Sequence, residues 1–223
     1  MKLSVVIPAV DEEASIRAAV ASVAVACEVV VVDGGSRDAT VTAAVEAGAR
    51  VLKGARGRGR QMNLGASTCS GDVLVFLHAD SVLPLGYADE VRRSLAAGKC
   101  QWGRFDVRFD RSTRLLRVIA WLISTRSRLT RGATGDQAIF VDRRLFEEIG
   151  GYREEPLFED VELCRRLKRK SAMAIPSSPV ITSSRRWLAD GAIRVSLLMW
   201  MLKGLYLAGV PARRLAVLYK DRR

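Results

Sequence analysis

Aromatic residues are scarce in this sequence: they make up 6% of its 223 positions, and the chain carries a single histidine. Proteins that bind single-stranded nucleic acids interleave basic residues with aromatic rings on which the bases stack. Here the basic residues are scattered without such rings. The four cysteines also lie far apart, without the paired spacing of a zinc site. We therefore expect no nucleic-acid partner, and we interpret the cysteines as buried thiols of a reducing compartment.

Long apolar runs are absent as well. A membrane-spanning helix needs about 18 apolar residues, and the nearest candidate, Val195–Val210, is interrupted by Lys203. The chain enters a strand-like run, Leu3–Ile7, at once and shows no signal-peptide pattern. These absences predict a cytoplasmic protein without a spanning segment, and they leave open a peripheral contact with the inner face of the membrane.

Positive charge, by contrast, is abundant. Lysine and arginine number 36 against 24 acidic residues, which gives a net charge of +12. Such a charge fits three partners: nucleic acid, an anionic membrane surface or a small polyanionic substrate. Hydrophobic residues make up 49% of the chain, enough for a sizeable buried core. The length fits one domain covering residues 1–223.

The first hundred residues alternate between short β-branched runs and helix-like segments. This alternation predicts βαβ units, hence an α/β fold with a mostly parallel central sheet flanked by helices. The predicted strands are Leu3–Val6, Val29–Val32, a run around Val51 and Val73–Leu77; the predicted helices are Glu12–Val25, Ala39–Ala47 and one beginning near Gln61.

The second half has a different pattern. Gln101–Phe109 alternates polar and apolar residues, which predicts one strand with a polar face, and Ala138–Val141 is another short strand. The predicted helices here are Thr113–Leu129, Arg143–Ile149, Phe158–Lys170 and Ala189–Leu207. No linker divides the chain. We predict a nucleotide-binding half over residues 1–100, an acceptor and catalytic half over 101–187, and C-terminal helices over 188–223.

Polar clusters follow each of the four N-terminal strands. Ligands bind beyond the carboxyl ends of the strands in a parallel α/β sheet, and the connections at the opposite edge lack this density of polar residues. The clusters are Asp11–Glu12, Asp33, Arg56–Asn63 and Asp80.

Two of these clusters suit a nucleotide. Asp33 precedes two glycines, a pattern typical of a tight turn and helix cap or of a carboxylate that binds a base or ribose. The loop Gly54–Gln61 holds three arginines and three glycines before a helix, which favours a diphosphate cradle or a solvated basic loop. It is neither a Walker A loop nor a dinucleotide fingerprint.

Other acids suit a metal or a proton transfer. Asp80 either caps the helix after Pro84 or holds Mg²⁺ or Mn²⁺ against a diphosphate, and His78 has a structural role or contacts the metal or substrate. Asp160 lies in an acidic helix start, where it either stabilises the helix by interacting with the helix dipole or acts as a general base. Gly135–Gln137 offers polar groups to a sugar, whereas Arg185, Arg186 and Trp187 could neutralise a diphosphate and stack on a sugar.

Together these segments resemble the family-two inverting glycosyltransferases of the GT-A fold. The resemblance covers residues 3 to 187 and looks closest to a compact bacterial subgroup associated with arsenosugar biosynthesis. The segments that carry it, in order, are the strand Ser4–Glu12, the nucleotide signature Val32–Thr40, the helix start Arg60–Gly65, the Asp-x-Asp-like His78–Asp80, the Glu-Asp element Phe158–Asp160 and Arg185–Trp187.

The resemblance implies transfer of a sugar from a UDP-sugar, with GDP-sugar second, to a small-molecule or lipid-linked acceptor. Asp160 would be the general base, and Asp80, with His78, would hold Mg²⁺ or Mn²⁺. It assigns the nucleotide to Pro8, Ala9, Asp11, Glu12, Asp33, Gly35, Arg60, Asn63 and Ala79, and the acceptor and sugar to Gly135, Asp136, Gln137, Glu159, Arg185, Arg186 and Trp187.

The sequence departs from the family pattern at two acids. Gly34 replaces the second aspartate of the nucleotide signature, and His78 replaces the first acid of Asp-x-Asp, which makes weak or variable metal dependence an open outcome. Two other functions stay open. A sugar-phosphate nucleotidyltransferase would have a glycine-rich, arginine-containing loop where this chain has Pro8–Glu12, and a nucleic-acid-binding module would use the +12 charge.

Overall fold

The computed structural model describes residues 1–25, 27–96, 98–111 and 113–219. Its strands are β1 (Leu3–Ala9), β2 (Glu28–Asp33), β3 (Arg50–Lys53), β4 (Val73–Phe76), β5 (Ser81–Val82), β6 (Cys100–Gly103), β7 (Val107–Phe109), β8 (Ile139–Asp142), β9 (Ala172–Ala174) and β10 (Val180–Thr182). Its α-helices are α1 (Ile16–Ala21), α2 (Thr40–Glu46), α3 (Arg58–Thr68), α4 (Tyr87–Ala96), α5 (Arg114–Thr130), α6 (Arg143–Glu148), α7 (Glu159–Leu167), α8 (Arg185–Ala189), α9 (Ala192–Leu207) and α10 (Ala212–Leu218), with a 3₁₀ turn at Gly135–Gln137.

Seven strands form one sheet in the order β3-β2-β1-β4-β8-β6-β9. β1 is buried at every position and pairs in parallel with β2 and β4, while β8 runs antiparallel to β4 and β6. Helices α1, α2, α4 and α5 pack on one face, and α3, α6 and α7 on the other. Because both faces are covered, the central strands are apolar throughout. The predicted α/β architecture with a mostly parallel sheet is confirmed.

The prediction of a single strand over Gln101–Phe109 is wrong. β6 belongs to the large sheet, whereas β7 belongs to a second sheet of order β5-β10-β7. The chain changes sheet just after Gly103, where a Cβ would collide with the Phe140 ring and a backbone carbonyl. Arg104, expected on a polar face, is fully buried, and its guanidinium donates to the Ser124 carbonyl and the Asp106 carboxylate.

Three predicted helices have different bounds. The helix expected over Glu12–Val25 shortens to α1, and α3 begins at Arg58, three residues before Gln61. The helix expected over Ala189–Leu207 is interrupted between α8 and α9, where Gly191 has a φ of 82°.

The last two helices pack on the start of α7. α9 and α10 contribute Leu202 and Leu215 to a small core that also contains Leu157 and Phe158. In the part of the chain that the structure describes, every helix lacks the length or the apolar character needed to cross a bilayer. Residues 220–223 of the predicted C-terminal segment lie outside the described residues.

Candidate active site

The carboxyl ends of β1, β2, β3 and β4 meet at one edge of the sheet because these strands are parallel. Ala9 lies beside Asp33 in the strand register, and the Ala9 carbonyl accepts a hydrogen bond from the Gly34 amide at 2.9 Å. The segment containing His78, Ala79 and Asp80 leaves β4 at the same edge. The four polar clusters expected after these strands are therefore brought to one side of the sheet.

Asp33 organises the turn that follows β2. It is 4% exposed, and its carboxylate accepts hydrogen bonds from the amides of Gly35 and Ser36, each at 3.1 Å. The Ser36 hydroxyl donates to the same carboxylate. Asp33 thus stabilises the turn through its own carboxylate, in line with the turn-and-cap interpretation of this segment.

The loops after β1 and β2 are joined by reciprocal hydrogen bonds. The exposed Asp11 has a φ of 55° and accepts from the Arg37 amide at 2.7 Å, while its own amide donates to the Ser36 hydroxyl at 3.0 Å. Glu12 is buried, and its carboxylate lies 3.4 Å from the Arg185 guanidinium. An arginine from the C-terminal part of the chain therefore reaches the edge where β1 ends.

Gln61, a residue that our sequence analysis did not single out, joins three segments of this edge. It is almost fully buried, and its amide nitrogen donates to the carbonyls of Ala9 and Val32 at 3.0 and 2.8 Å. Its amide oxygen accepts from the Gly57 amide at 3.2 Å. Gln61 therefore ties the ends of β1 and β2 to the arginine-rich loop. The sequence signal was a glutamine directly after a Gly/Arg loop.

The arginines of that loop differ in their partners. Arg58 pairs with the buried Glu159 at 2.7 Å, and Arg60 pairs with the exposed Glu154 at the same distance. Arg56 is exposed, and no ion pair involves it among the residues that the structure describes. Arg56 is therefore the arginine of this loop best placed to meet an incoming anion.

Asn63 fixes α3 to the segment before α7. Its side-chain amide donates to the Tyr152 carbonyl and accepts from the Tyr152 amide, both at 2.8 Å. A Cβ on Gly59 would lie 2.6 Å from the Arg153 carbonyl, so the two backbones are in close contact. Asn63 thus has a positioning role that its sequence motif did not reveal.

Asp160 is the second residue of α7 and faces the 3₁₀ turn. One carboxylate oxygen accepts from the Gly135 amide at 2.6 Å, and the other accepts from the Val161 amide at 2.6 Å. A Cβ on Gly135 would collide with the His78 ring, so only glycine fits between His78 and Asp160. The residue types at these three positions are therefore sterically linked.

Asp136 lies within electrostatic reach of two further acids. Desolvation raises the pKa of the half-buried Asp136 carboxyl, a hydrogen bond with Thr134 and the Arg126 charge oppose the shift, and the charges of Asp160 and Asp80 add to it. The Asp136 carboxyl therefore lies close enough to Asp160 and Asp80 to be affected by the charge of each.

No three His, Cys, Asp or Glu side chains within the described residues form a complete metal site. Magnesium, however, usually takes one or two protein carboxylates and completes its shell with substrate phosphates and water. The effect of Asp80 and Asp160 on the Asp136 carboxyl places these acids near one another, which fits a site of this incomplete kind.

A cavity of about 740 Å³ opens beside Asp80. It is bounded by α1, by Thr182 and Ser184 around the end of β10, and by Arg185. Its volume lies in the range typical of small-molecule sites.

Comparison with known proteins shows to which family the chain belongs. The family described as "Glycosyl transferase family 2" matches residues 4–149, which include all four polar clusters at the sheet edge. The chain belongs to glycosyl transferase family 2. The predictions of a glycosyltransferase and of the GT-A fold are confirmed, and neither a nucleotidyltransferase nor a nucleic-acid-binding module is supported.

The chain spans only part of the length of its relatives of known activity. Glucosyl-3-phosphoglycerate synthase of Mycobacterium tuberculosis is 32% identical over 96 residues, covering 37% of this chain and 30% of the relative. The structure of S. aureus TarS in complex with UDP has a TM-score of 0.64 at 16% identity, covering 82% of this chain and 60% of that chain. The M. tuberculosis synthase in complex with Mg²⁺ and UDP has a TM-score of 0.59 at 22% identity, covering 82% and 69%.

Several residues that we expected to bind the acceptor substrate or the sugar contact protein groups instead. The Gln137 side chain is fully buried and accepts from the Ser127 hydroxyl at 2.8 Å. Arg186 donates to the Tyr219 hydroxyl and stacks over its ring. Trp187 packs edge-to-face on Phe109 with ring centroids 5.3 Å apart. Arg185 likewise pairs with Glu12, so each of these four side chains has a protein partner.

Proposed function

We propose that this family-2 glycosyltransferase moves a sugar from a UDP-sugar to an acceptor hydroxyl with inversion, using Asp160 as the general base. The observation that carries the proposal is the position of the Asp160 carboxylate. It is oriented by the Gly135 amide, lies against the His78 segment at the end of β4, and interacts with Asp136. UDP as the donor nucleotide is supported by the UDP complexes of TarS and of the mycobacterial synthase.

The proton transfer follows from this geometry. Each Asp160 oxygen accepts one backbone hydrogen bond, which fixes the carboxylate and leaves a lone pair for the acceptor hydroxyl. Asp160 takes the hydroxyl proton while that oxygen forms a bond to the anomeric carbon. The bond from the anomeric carbon to the diphosphate oxygen breaks on the opposite face, so UDP departs and the configuration inverts.

The nucleotide is proposed to lie along the ends of β1 and β2. Pro8, Ala9, Asp11, Glu12 and Gly35 line this edge, with Asp33 holding the turn that shapes it. Arg56 is proposed for the diphosphate ahead of Arg60, because Arg60 already pairs with Glu154. That exposed pair is weak, so Arg60 can also turn towards an anion.

Asp80 and Asp136 are proposed to hold a divalent cation, Mg²⁺ or Mn²⁺, with His78 beside them. Such an ion would neutralise the charge that develops on the leaving diphosphate. The choice is supported by the electrostatic coupling of the aspartates and by the mycobacterial synthase, whose complexes contain Mg²⁺ or Mn²⁺ together with UDP.

The acceptor is proposed to approach through the second half of the chain, residues 101–187, with the helices over 188–223 beside it. The arsenosugar-associated subgroup stays a prediction, and so does a small-molecule or lipid-linked acceptor. The synthase structure with Mn²⁺, UDP and phosphoglyceric acid provides one example of a family relative with a small anionic ligand.

Replacing Asp160 with asparagine tests the catalytic assignment. Asparagine keeps a hydrogen-bond acceptor for the Gly135 amide but cannot take a proton, so we expect sugar transfer to fall by about 100-fold or more. UDP affinity should stay within about twofold of the unaltered protein. Both quantities can be followed in one preparation, by UDP release from UDP-glucose and by calorimetric titration with UDP.

Asp142→Asn is the matched control. Asp142 also begins a helix and accepts from the Arg144 and Leu145 amides, but it lies at the opposite edge of the sheet, beside Val73. This variant should retain its turnover. An Asp160→Asn protein that retains transfer would show that another group is the base, and one that loses UDP binding together with transfer would assign Asp160 to donor binding instead.

A further inference from the structure

A second cavity, of about 1030 Å³, lies behind α7 on the side facing the C-terminal helices. Its walls are the residues that follow α5, one face of α7, the end of α9 and the start of α10. It does not share lining residues with the cavity beside Asp80.

The charge of this cavity is strongly one-sided. Glu155 is its one acidic lining residue, whereas its basic lining residues are Arg131, Arg165, Lys168, Arg169, Lys203 and Arg213. Within the described ranges, none of these basic side chains lies within 4.0 Å of a carboxylate. Arginines nearer the sheet edge, such as Arg58 and Arg166, are paired. The cavity therefore carries an uncompensated positive field.

The cavity lies along the helix that carries Asp160. Cys164 and Lys168 line it, and they follow Asp160 at intervals of four residues on one face of α7. Val161 lines it too, so with a rise of about 1.5 Å per residue this wall runs from beside the proposed base to roughly 12 Å further along the axis.

Lys203 of α9 connects the cavity with the catalytic acids. Burial and the charge of Arg126 lower the pKa of its ammonium, while Asp160, Cys164 and Asp136 oppose that shift. The ammonium is thus close enough to interact with the acids at the start of α7 as well as with a ligand in the cavity.

We propose that this cavity binds a phosphate group of the acceptor and so places the acceptor hydroxyl against Asp160. The inference rests on the proposed function and adds a substrate class, an acceptor whose phosphate lies within roughly 12 Å of the hydroxyl that is glycosylated. Arginine and lysine contributed by several elements suit a phosphate, because each supplies charged donors from a different direction. The phosphate can belong to a small metabolite or to a lipid headgroup.

The experiment measures phosphate binding in the full chain by calorimetry at fixed ionic strength. The probes are inorganic phosphate, glycerol 3-phosphate, dihexanoyl phosphatidic acid as a soluble lipid phosphate, and glycerol as the neutral reference. The test variant is Lys168→Gln with Arg169→Gln. Its matched control is Lys99→Gln with Arg144→Gln. This variant also removes one exposed lysine and one exposed arginine, but both lie outside the cavity. Lys203→Gln is a second, single test variant.

We expect each test variant to weaken binding of the phosphate probes about tenfold or more and the control to change it by less than twofold. Binding of glycerol 3-phosphate alone would indicate a small acceptor, and binding of the lipid phosphate alone a lipid-linked one; both support the site. Equal losses in the control and test variants, or no binding of any phosphate, would overturn it.

A parallel titration with UDP separates this inference from the proposed function. The test variants should retain UDP affinity, because the cavity does not include the sheet edge. Sugar transfer that persists in Asp160→Asn would count against the proposed chemistry and leave the phosphate site standing.

Discussion

Gly34 and Gln61 explain a departure from the family pattern at the level of single residues. A Cβ on Gly34 would lie 2.7 Å from a Val10 methyl carbon and 3.0 Å from the Gln61 amide nitrogen. The buried Gln61 amide thus occupies the space into which the usual second aspartate would extend. The space of one acid in the nucleotide signature is thus filled by the buried, hydrogen-bonded side chain of Gln61.

Gly34→Asp should therefore lower the free energy of unfolding by about 1 to 3 kcal/mol, as expected for overpacking, and should not strengthen UDP binding. Urea denaturation and UDP titration measure the two effects. Gly204→Ala is the control, because among the described residues no atom outside the adjoining turns of α9 lies within 4 Å of the added carbon. It should stabilise the protein slightly, by about 0.5 to 1 kcal/mol. Tighter UDP binding by Gly34→Asp would contradict the steric explanation.

The sequence was sufficient to locate the clusters of the site but not the partners of their side chains. Asp33, Asp80 and Asp160 stand at element ends where patterns of strands and turns place them. Asn63 and Gln137 matched motif positions equally well, yet their side chains bind Tyr152 and Ser127. The hydrogen bond of Asn63 joins residues 89 positions apart and leaves no local pattern, so its role needed the three-dimensional structure. Gln137 differs, because its capping box with Thr134 is a local Thr-x-x-Gln pattern.

Among the elements, α5 is held to the crossing between the two sheets by a partly buried ionic network. Asp106 accepts from Arg104, which is fully buried, and from Arg128 near the end of α5. Arg104 also donates to the Ser124 carbonyl in the same helix. Desolvation raises the pKa of Asp106, but the hydrogen bonds and charges of the two arginines outweigh it, so the pKa of its carboxyl is lowered.

Asp106→Asn should lower the free energy of unfolding by about 3 kcal/mol at pH 7, because it leaves a buried guanidinium without a counterion. A lowered pKa stabilises the fold above the unfolded value of about 3.9, and this contribution is lost as the pH falls through the folded pKa. The difference between variant and unaltered protein should therefore shrink below about pH 4, as measured by urea denaturation at several pH values.

Asp89→Asn removes an exposed carboxylate paired with Arg92 and is the control; it should change stability by less than about 0.5 kcal/mol at either pH. An Asp106→Asn effect as small as this would show that the network contributes little to holding α5.

The segment that contains Arg104 and Asp106 is also the one whose predicted secondary structure differs from the observed one. The alternation from Trp102 to Phe109 matches a strand with one polar face. A period of two does not indicate which sheet each residue joins, so the change of sheet could not be predicted. The long-range pairings of β6 with β8 and of β7 with β10 decide that question. The parallel half was predictable, since β1, β2 and β4 are apolar runs separated by short helices.

At the scale of the whole molecule, positive charge combines with an exposed apolar stripe on α9. Ile193, Leu197, Trp200 and Met201 are each more than half exposed and share one face of that helix. Trp121 on the neighbouring α5 is exposed as well. An apolar stripe with tryptophan on a protein of net charge +12 fits peripheral contact with an anionic membrane.

We expect the protein to sediment with phosphatidylglycerol vesicles at low salt and to be released as ionic strength rises. Trp200→Ser should weaken this binding several-fold, about the effect of removing one buried indole. Leu85→Ser, which removes another fully exposed apolar side chain far along the sequence, should leave binding unaltered. Failure to sediment with these vesicles, or equal losses in both variants, would exclude this face as a membrane contact.

Phe158 has a consequence for how the last helices serve the reaction. It holds a φ of 66°, a conformation that costs a non-glycine residue about 1 to 3 kcal/mol. Its buried ring is kept there by Tyr206 of α9, with centroids 5.1 Å apart. Two residues later stands Asp160. Through this contact, α9 supports the backbone just before the proposed base, so the C-terminal helices contribute to the position of Asp160.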